Sequence, residues 1–77
     1  MFLEIITPEE PLFSGEVISV KLPGTAGGFE VLNNHAPLIS TLEQGHIKVR
    51  TEQGIEESFL IKGGFVEVLN NRVVVLV

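Results

Sequence analysis

Short apolar runs recur about every eight to ten residues, with Gly, Pro or Asn between them. That spacing predicts an antiparallel β-sandwich or barrel, an all-β fold with no long helix. The runs place strands near 2–6, 16–22, 29–32, 38–42, 46–51, 55–61, 65–69 and 72–77. Alternation is cleanest in His46-Ile47-Lys48-Val49-Arg50, where Ile47 and Val49 share one face while His46, Lys48 and Arg50 share the other. Arg72-Val73-Val74-Val75-Leu76-Val77 is apolar on both faces, so this strand must be covered on both sides, within the fold or by another chain.

Three candidate turns join these runs. Glu43-Gln44-Gly45 and Glu52-Gln53-Gly54 each end in a glycine able to take positive φ, and Asn70-Asn71 suits a primed hairpin turn. Across the turn at Gln53-Gly54, the cationic face of strand 46–51 should lie beside Glu56 or Glu57, a help to register rather than to stability. The segments GGFEVLNN (27–34) and GGFVEVLNN (63–71) echo each other with one inserted residue. Two copies make no solenoid, and the insertion flips the side chains on one side of it, so the copies present different faces.

Composition narrows the classes of function. A chain of 77 residues forms one domain, residues 1–77. With no Cys there is neither a disulfide nor a thiolate metal site, which fits a reducing compartment. A net charge of −5 argues against nucleic-acid binding, which needs a basic surface. No run of 18 apolar residues offers a membrane span, and MFLEIITPEEP lacks the basic flank of a targeting peptide, so any membrane association is expected to be indirect.

Candidate chemistry is sparse. Ser14, Ser19, Ser40 and Ser58 coexist with His35, His46 and ten Glu, yet no G-x-S-x-G elbow surrounds any serine. Without Asp there is no calcium loop of the usual type, and His46 alternates with cations on a polar strand face rather than in a ligand set. PGTAGG (23–28) lacks the Lys-Ser/Thr or third spaced Gly of a phosphate loop, and a strand follows it. Those glycines supply a flexible or tight turn before Phe29. In Leu32-Asn33-Asn34-His35-Ala36-Pro37-Leu38, Pro37 forces a non-helical bend, and small Ala36 leaves a low-relief corner suited to close docking or to an ordinary capped loop. No substrate, cofactor or metal is expected.

At this point the chain resembles a known family. LPGTAGGFEVLNNHAPLISTLEQGHIKV (22–49) is similar to the core signature of the epsilon subunits of F-type ATP synthases, with TPEEPLFSGEV (7–17) and GGFVEVLNNRVVVLV (63–77) agreeing on either side. The resemblance implies a two-sheet sandwich of about ten strands at the foot of the central stalk, gripping the gamma subunit and touching the polar loops of the c-ring. It implies no catalysis, and a peripheral location at the cytoplasmic face of the bacterial inner membrane. Carried over by position, the resemblance implies Gly27, Gly28, Phe29, Glu30, His35, Ala36, Pro37 and Leu38 as candidate contacts to ring and gamma, with Thr7 and Thr41 as secondary candidates on the gamma side. The chain departs from the pattern at Gly28, where many relatives carry an acidic residue; Glu30 stands two positions on.

Family members usually continue into an inhibitory helical hairpin, whereas this sequence stops at Val77, so coupling without helical autoinhibition is expected. Two other readings stay open. One is a lipoyl- or biotinyl-type carrier with Lys62 as the displayed lysine, although the flanking Met-Lys-Met or Asp-Lys-Ala pattern is missing. The other is an unrelated β-rich adaptor or sugar-binding module, disfavoured by the absence of Trp and Tyr.

Overall fold

The computed structural model describes residues 1–77 and contains nine strands and no helix. They are β1 (Phe2–Ile6), β2 (Pro11–Glu16), β3 (Ser19–Leu22), β4 (Phe29–Leu32), β5 (Leu38–Leu42), β6 (Gly45–Arg50), β7 (Glu56–Ile61), β8 (Gly64–Leu69) and β9 (Arg72–Leu76). Two sheets form, ordered β2-β1-β9-β8-β5 and β4-β3-β6-β7. Every pairing is antiparallel except that of β1 with β9, which is parallel.

Alternation builds the core. Leu3, Ile5, Val66, Val68, Val73 and Val75 point inward from the five-stranded sheet, and Val20, Leu22, Val31, Ile47 and Val49 meet them from the other, each at most 2% exposed. Full burial of such a side chain contributes about 1.5–3 kcal/mol. The open sides of the sandwich are plugged by larger groups. Phe13 on edge strand β2 meets Phe59 on edge strand β7, ring edge to face at 6.0 Å, while Phe29 and Leu38, on the opposite edge strands, pack half-buried against the core.

Several strand positions differ from the sequence expectation. The strand expected at 16–22 is shorter, β3 from Ser19, and β2 has no counterpart among the expected strands. Strand β2 begins at Pro11, which cannot donate to a ladder and is tolerated at the start of this edge strand. The chain leaves the first sheet at Val17, whose N–H bonds Met1 O at 2.9 Å, and enters the second at Ile18, whose N–H bonds Arg50 O at 2.9 Å. Glu43-Gln44-Gly45 is no hairpin, because it carries the chain from β5 in one sheet to β6 in the other. Gly45 has no positive φ; its smallness matters instead, since a Cβ there would lie 2.9 Å from Pro23.

Other turns follow their chemistry. Asn70 and Asn71 take φ of 51° and 59° between paired Leu69 and Arg72, the two positive values a primed hairpin needs. Gly54, at φ 83°, closes the β6–β7 turn, and Arg50 reaches Glu56 at 2.7 Å beyond it. Both side chains of that pair are more than half exposed, so it contributes about 0.2–1 kcal/mol. The echoed segments behave as their inserted residue dictates. Glu30, Val31 and Leu32 match Glu67, Val68 and Leu69 in orientation, whereas Phe29 points inward and Phe65 outward.

Gly64 sits at φ 146°, and a Cβ there would fall 2.1 Å from Leu76 O in the neighbouring strand. Gly64→Ala is expected to cost about 3 kcal/mol or more through a clash that only backbone movement relieves. Urea unfolding should register this as a large fall in midpoint, against a loss of about 1–2 kcal/mol for Gly54→Ala, where only the positive φ opposes the methyl.

Candidate partner interface

The glycine turn is held rather than loose. Thr25 N–H donates to Thr41 O at 3.1 Å, the two threonine hydroxyls meet at 2.7 Å, and Glu43 N–H donates to Pro23 O at 2.8 Å. Gly24 is buried, and a Cβ on it would lie 2.6 Å from Gly27 O and 2.8 Å from the Phe29 ring. Gly27 takes φ 126°. The turn is therefore clamped onto β5 through Thr41, and it exposes Gly27, Gly28 and Glu30 while Phe29 anchors it from beneath. Glu30 accepts a 2.6 Å hydrogen bond from the Ser19 hydroxyl.

The histidine-proline corner is also fixed. His35 N–H donates to Leu32 O at 3.2 Å, its Nδ1–H donates to Ala36 O at 2.7 Å, and the preceding Asn34 N–H donates to Asn71 Oδ1 at 2.8 Å. His35, Ala36 and Pro37 are exposed, but Leu38 faces inward opposite Val68. The whole of β4 lies between the turn and this corner. They consequently occupy opposite ends of a body measuring 28 × 24 × 19 Å, so the structure does not bring the two halves of the predicted set together.

Thr7 lies at the end that holds the glycine turn. Its hydroxyl closes the loop before β2, accepting from Glu10 N–H at 2.9 Å and donating to Glu10 O at 2.6 Å. It also borders a shallow cleft of about 350 Å³ with Ile6, Phe65 and Leu76. Thr41 is the register partner of Phe65, and Phe65 that of Leu76. Thr7 and Thr41 thus flank one apolar row that crosses the outer face of the five-stranded sheet.

The sequence pointed to that face only through β9, expected to be covered on both sides, and singled out none of its residues on β8 or Ile39. Ile39 is 70% exposed, and Phe65, Leu69 and Leu76 are each more than 40% exposed. Ile39 and Leu69 also wall a groove of about 370 Å³ with Pro37, which joins the apolar face to the histidine-proline corner. One signal was available, the two-sided apolar character of β9. Val73 and Val75 go to the core while Val74, half-buried between Glu4 and Glu67, and exposed Leu76 face outward. No three His or acidic side chains gather where they could hold a metal ion.

A family model described as the ATP synthase delta/epsilon chain β-sandwich domain matches residues 1–77. The chain belongs to this family. Among curated relatives, the ATP synthase epsilon chain of Chlorobium limicola is 43% identical over 74 residues, covering 96% of this chain and 84% of that one. The epsilon chain of Sulfurimonas denitrificans is 48% identical over 75 residues, 97% of this chain and 58% of the relative. A chain in the Euglena gracilis mitochondrial ATP synthase, solved as OSCP, F1 and c-ring, superposes with a TM-score of 0.90 at 25% identity, over 96% of this chain and 48% of that one. The central stalk and c-ring of the Tetrahymena thermophila mitochondrial enzyme contains the same fold at a TM-score of 0.83 and 17% identity, over 97% of this chain and 60% of its own. As a member of the delta/epsilon β-sandwich family, this chain is structural and not itself an enzyme.

Position 28 can be tested against the family pattern. A Cβ on Gly28 would meet nothing nearer than Leu22 O at 3.6 Å, and the residue has no positive φ. Gly28→Glu should therefore leave the denaturant midpoint within about 0.5 kcal/mol of the parent. Gly24→Ala, which drives a methyl into the turn, should cost about 1–3 kcal/mol in the same measurement.

Proposed function

We propose that this chain is a non-catalytic rotor subunit of an F-type ATP synthase, a single β-sandwich domain over residues 1–77 that couples the gamma subunit to the c-ring during proton-driven ATP synthesis. It works as a peripheral component at the cytoplasmic face of the bacterial inner membrane, reaching the bilayer only through its partners. The observation that carries this reading is the set of exposed apolar side chains on the outer face of the five-stranded sheet, the row through Leu76 and Phe65 and, beyond Glu67, Ile39. A patch of that kind on a small domain marks a protein contact.

Coupling by a subunit without chemistry needs a stiff body with separated contacts. Two interfaces of roughly 800 Å² each would occupy about a third of the 4703 Å² accessible surface, leaving room for both. The apolar face, flanked by Thr7 and Thr41 and continuous with His35-Ala36-Pro37, suits gamma. The turn at Gly27-Gly28 and Glu30, held at the other end of β4, suits the polar loops of the ring. Because both corners are hydrogen-bonded to strands, load applied at one is passed through the sheets and not absorbed by a loop. The carrier alternative fits less well, since Lys62 lies on the crossover from β7 to β8 in the other sheet, without the hairpin apex such a domain displays.

Ile39→Glu combined with Phe65→Glu alters two exposed side chains and should leave the fold intact. Co-expressed with gamma, this variant is expected to lose tenfold or more of the recovered complex, the effect of removing an interface anchor. Lys62→Gln serves as the control. Recovery of gamma by the double variant at the parental level, with unchanged circular dichroism, would overturn the reading.

A further inference from the structure

The outer face of the four-stranded sheet carries a charge pattern that docking on gamma leaves unused. Lys21 of β3 lies directly opposite Lys48 of β6, both exposed on the outward side. Like charges at this cross-strand spacing oppose the pairing. Neither lysine is in an ion pair, since those present join Arg50 to Glu56, Arg72 to Glu4, and the N-terminal ammonium to Glu16. Glu30, opposite Lys21 on the other side, is hydrogen-bonded to Ser19. His46 adds a third nitrogen two residues before Lys48 on the same face. In a chain of net charge −5, this face holds three of the five Lys and Arg, so the concentration is not a by-product of a basic surface.

Shape accompanies the charge. Lys21, His46 and Lys48 line a groove of about 420 Å³ that Pro23, Gly28 and Glu30 also border, so that its side chains carry two fixed positive charges against one negative. Leu60, opposite His46 and 66% exposed, stands on its far margin. We propose that this groove docks a carboxylate-rich amphipathic segment of a protein partner, its acidic side chains between Lys21 and Lys48 and its apolar side chains against Leu60. Charge complementarity names the occupant. A phosphate group would call for an Arg fork or converging free backbone N–H groups, whereas no Arg lines the groove and its floor is two strands paired into a ladder. An anionic membrane would call for a cluster of about four to eight Lys and Arg, and two lysines on an acidic chain fall short of it. An exposed Leu bordered by charges matches the apolar centre and polar rim of a protein interface. The groove shares Gly28, Phe29 and Glu30 with the turn assigned above to rotor contacts, but the inference does not depend on what that turn meets.

The test is titration of the isotope-labelled chain, followed by NMR, with a synthetic peptide alternating Leu and Glu. Its Gln-for-Glu counterpart, inorganic phosphate and phosphatidylglycerol vesicles are run in parallel. The acidic peptide is expected to shift the amides of Lys21, His46, Lys48 and Leu60, with an affinity that falls about tenfold or more in Lys21→Gln/Lys48→Gln and with added salt, and stays unchanged in Lys62→Gln. The double variant should melt close to the parent, because the Lys21–Lys48 repulsion it removes offsets the lost attraction of Lys21 to Glu30, which separates lost binding from lost fold; Lys21→Gln alone carries the comparison if the pair expresses poorly. Equal binding by the lysine variants, shifts confined to other faces, or binding of the Gln peptide, phosphate or vesicles at the same amides in place of the acidic peptide would overturn the proposal.

Discussion

The parallel pairing of β1 with β9 is the contact on which the rest of this structure depends. It joins Phe2 to Arg72 and continues in register to Ile6 and Leu76, and it is prolonged at its ends by Phe2 N–H to Asn71 O and Val77 N–H to Ile6 O. Without it the five-stranded sheet separates into one hairpin and a three-stranded remnant. The hairpin alone is at best marginally stable in water. The pairing closes nearly the whole chain as a loop, an entropic cost that grows only slowly with length but makes such folds slow to form. Its register is marked on the outward side, where Arg72 reaches Glu4 at 2.8 Å and lies 5.0 Å over the Phe2 ring.

This pairing also creates the surface on which the functional reading rests. It sets Ile6 beside Leu76, which β8 has already set beside Phe65, so that three separate segments form one apolar row. The opposite sheet has no such row on its outer face, because β6 alternates Ile47 and Val49 inward with His46, Lys48 and Arg50 outward. A small sandwich thus presents two outer faces of different chemistry. A body that must bind different neighbours at once gains specificity from that asymmetry, since the partner suited to one face is penalised on the other.

Much of this was legible in the residues. Strands β1, β4 and β5 were read to the residue, and β6, β7, β8 and β9 to within one at each end, because alternation and flanking Gly, Pro or Asn bound them. Strand β2 was not, since Pro8 and Pro11 bracket its start and Gly15 interrupts its apolar pattern. The contact set was legible as a resemblance and not as a surface. Phe29 and Leu38 belong to the same motifs as Gly28 and Pro37, yet they turn inward to plug the sandwich edges, while Ile39, one position beyond the motif, is the most exposed large apolar residue of the chain.

What the sequence determined by itself was local: period-two alternation, the primed turn at Asn70-Asn71, the charge match of Arg50 with Glu56, and the opposed orientation of Phe29 and Phe65. Each follows from residues in one strand, in one turn or across one hairpin, where covalent geometry restricts the outcomes to a few. Which sheet each strand joined, that Gly45 lies in a crossover, that Lys21 opposes Lys48, and which outer face stayed apolar were decided only by the tertiary structure. Those outcomes depend on pairings between segments far apart in the chain. Alternation states only that a strand has two faces, and the partner strand decides what each face becomes.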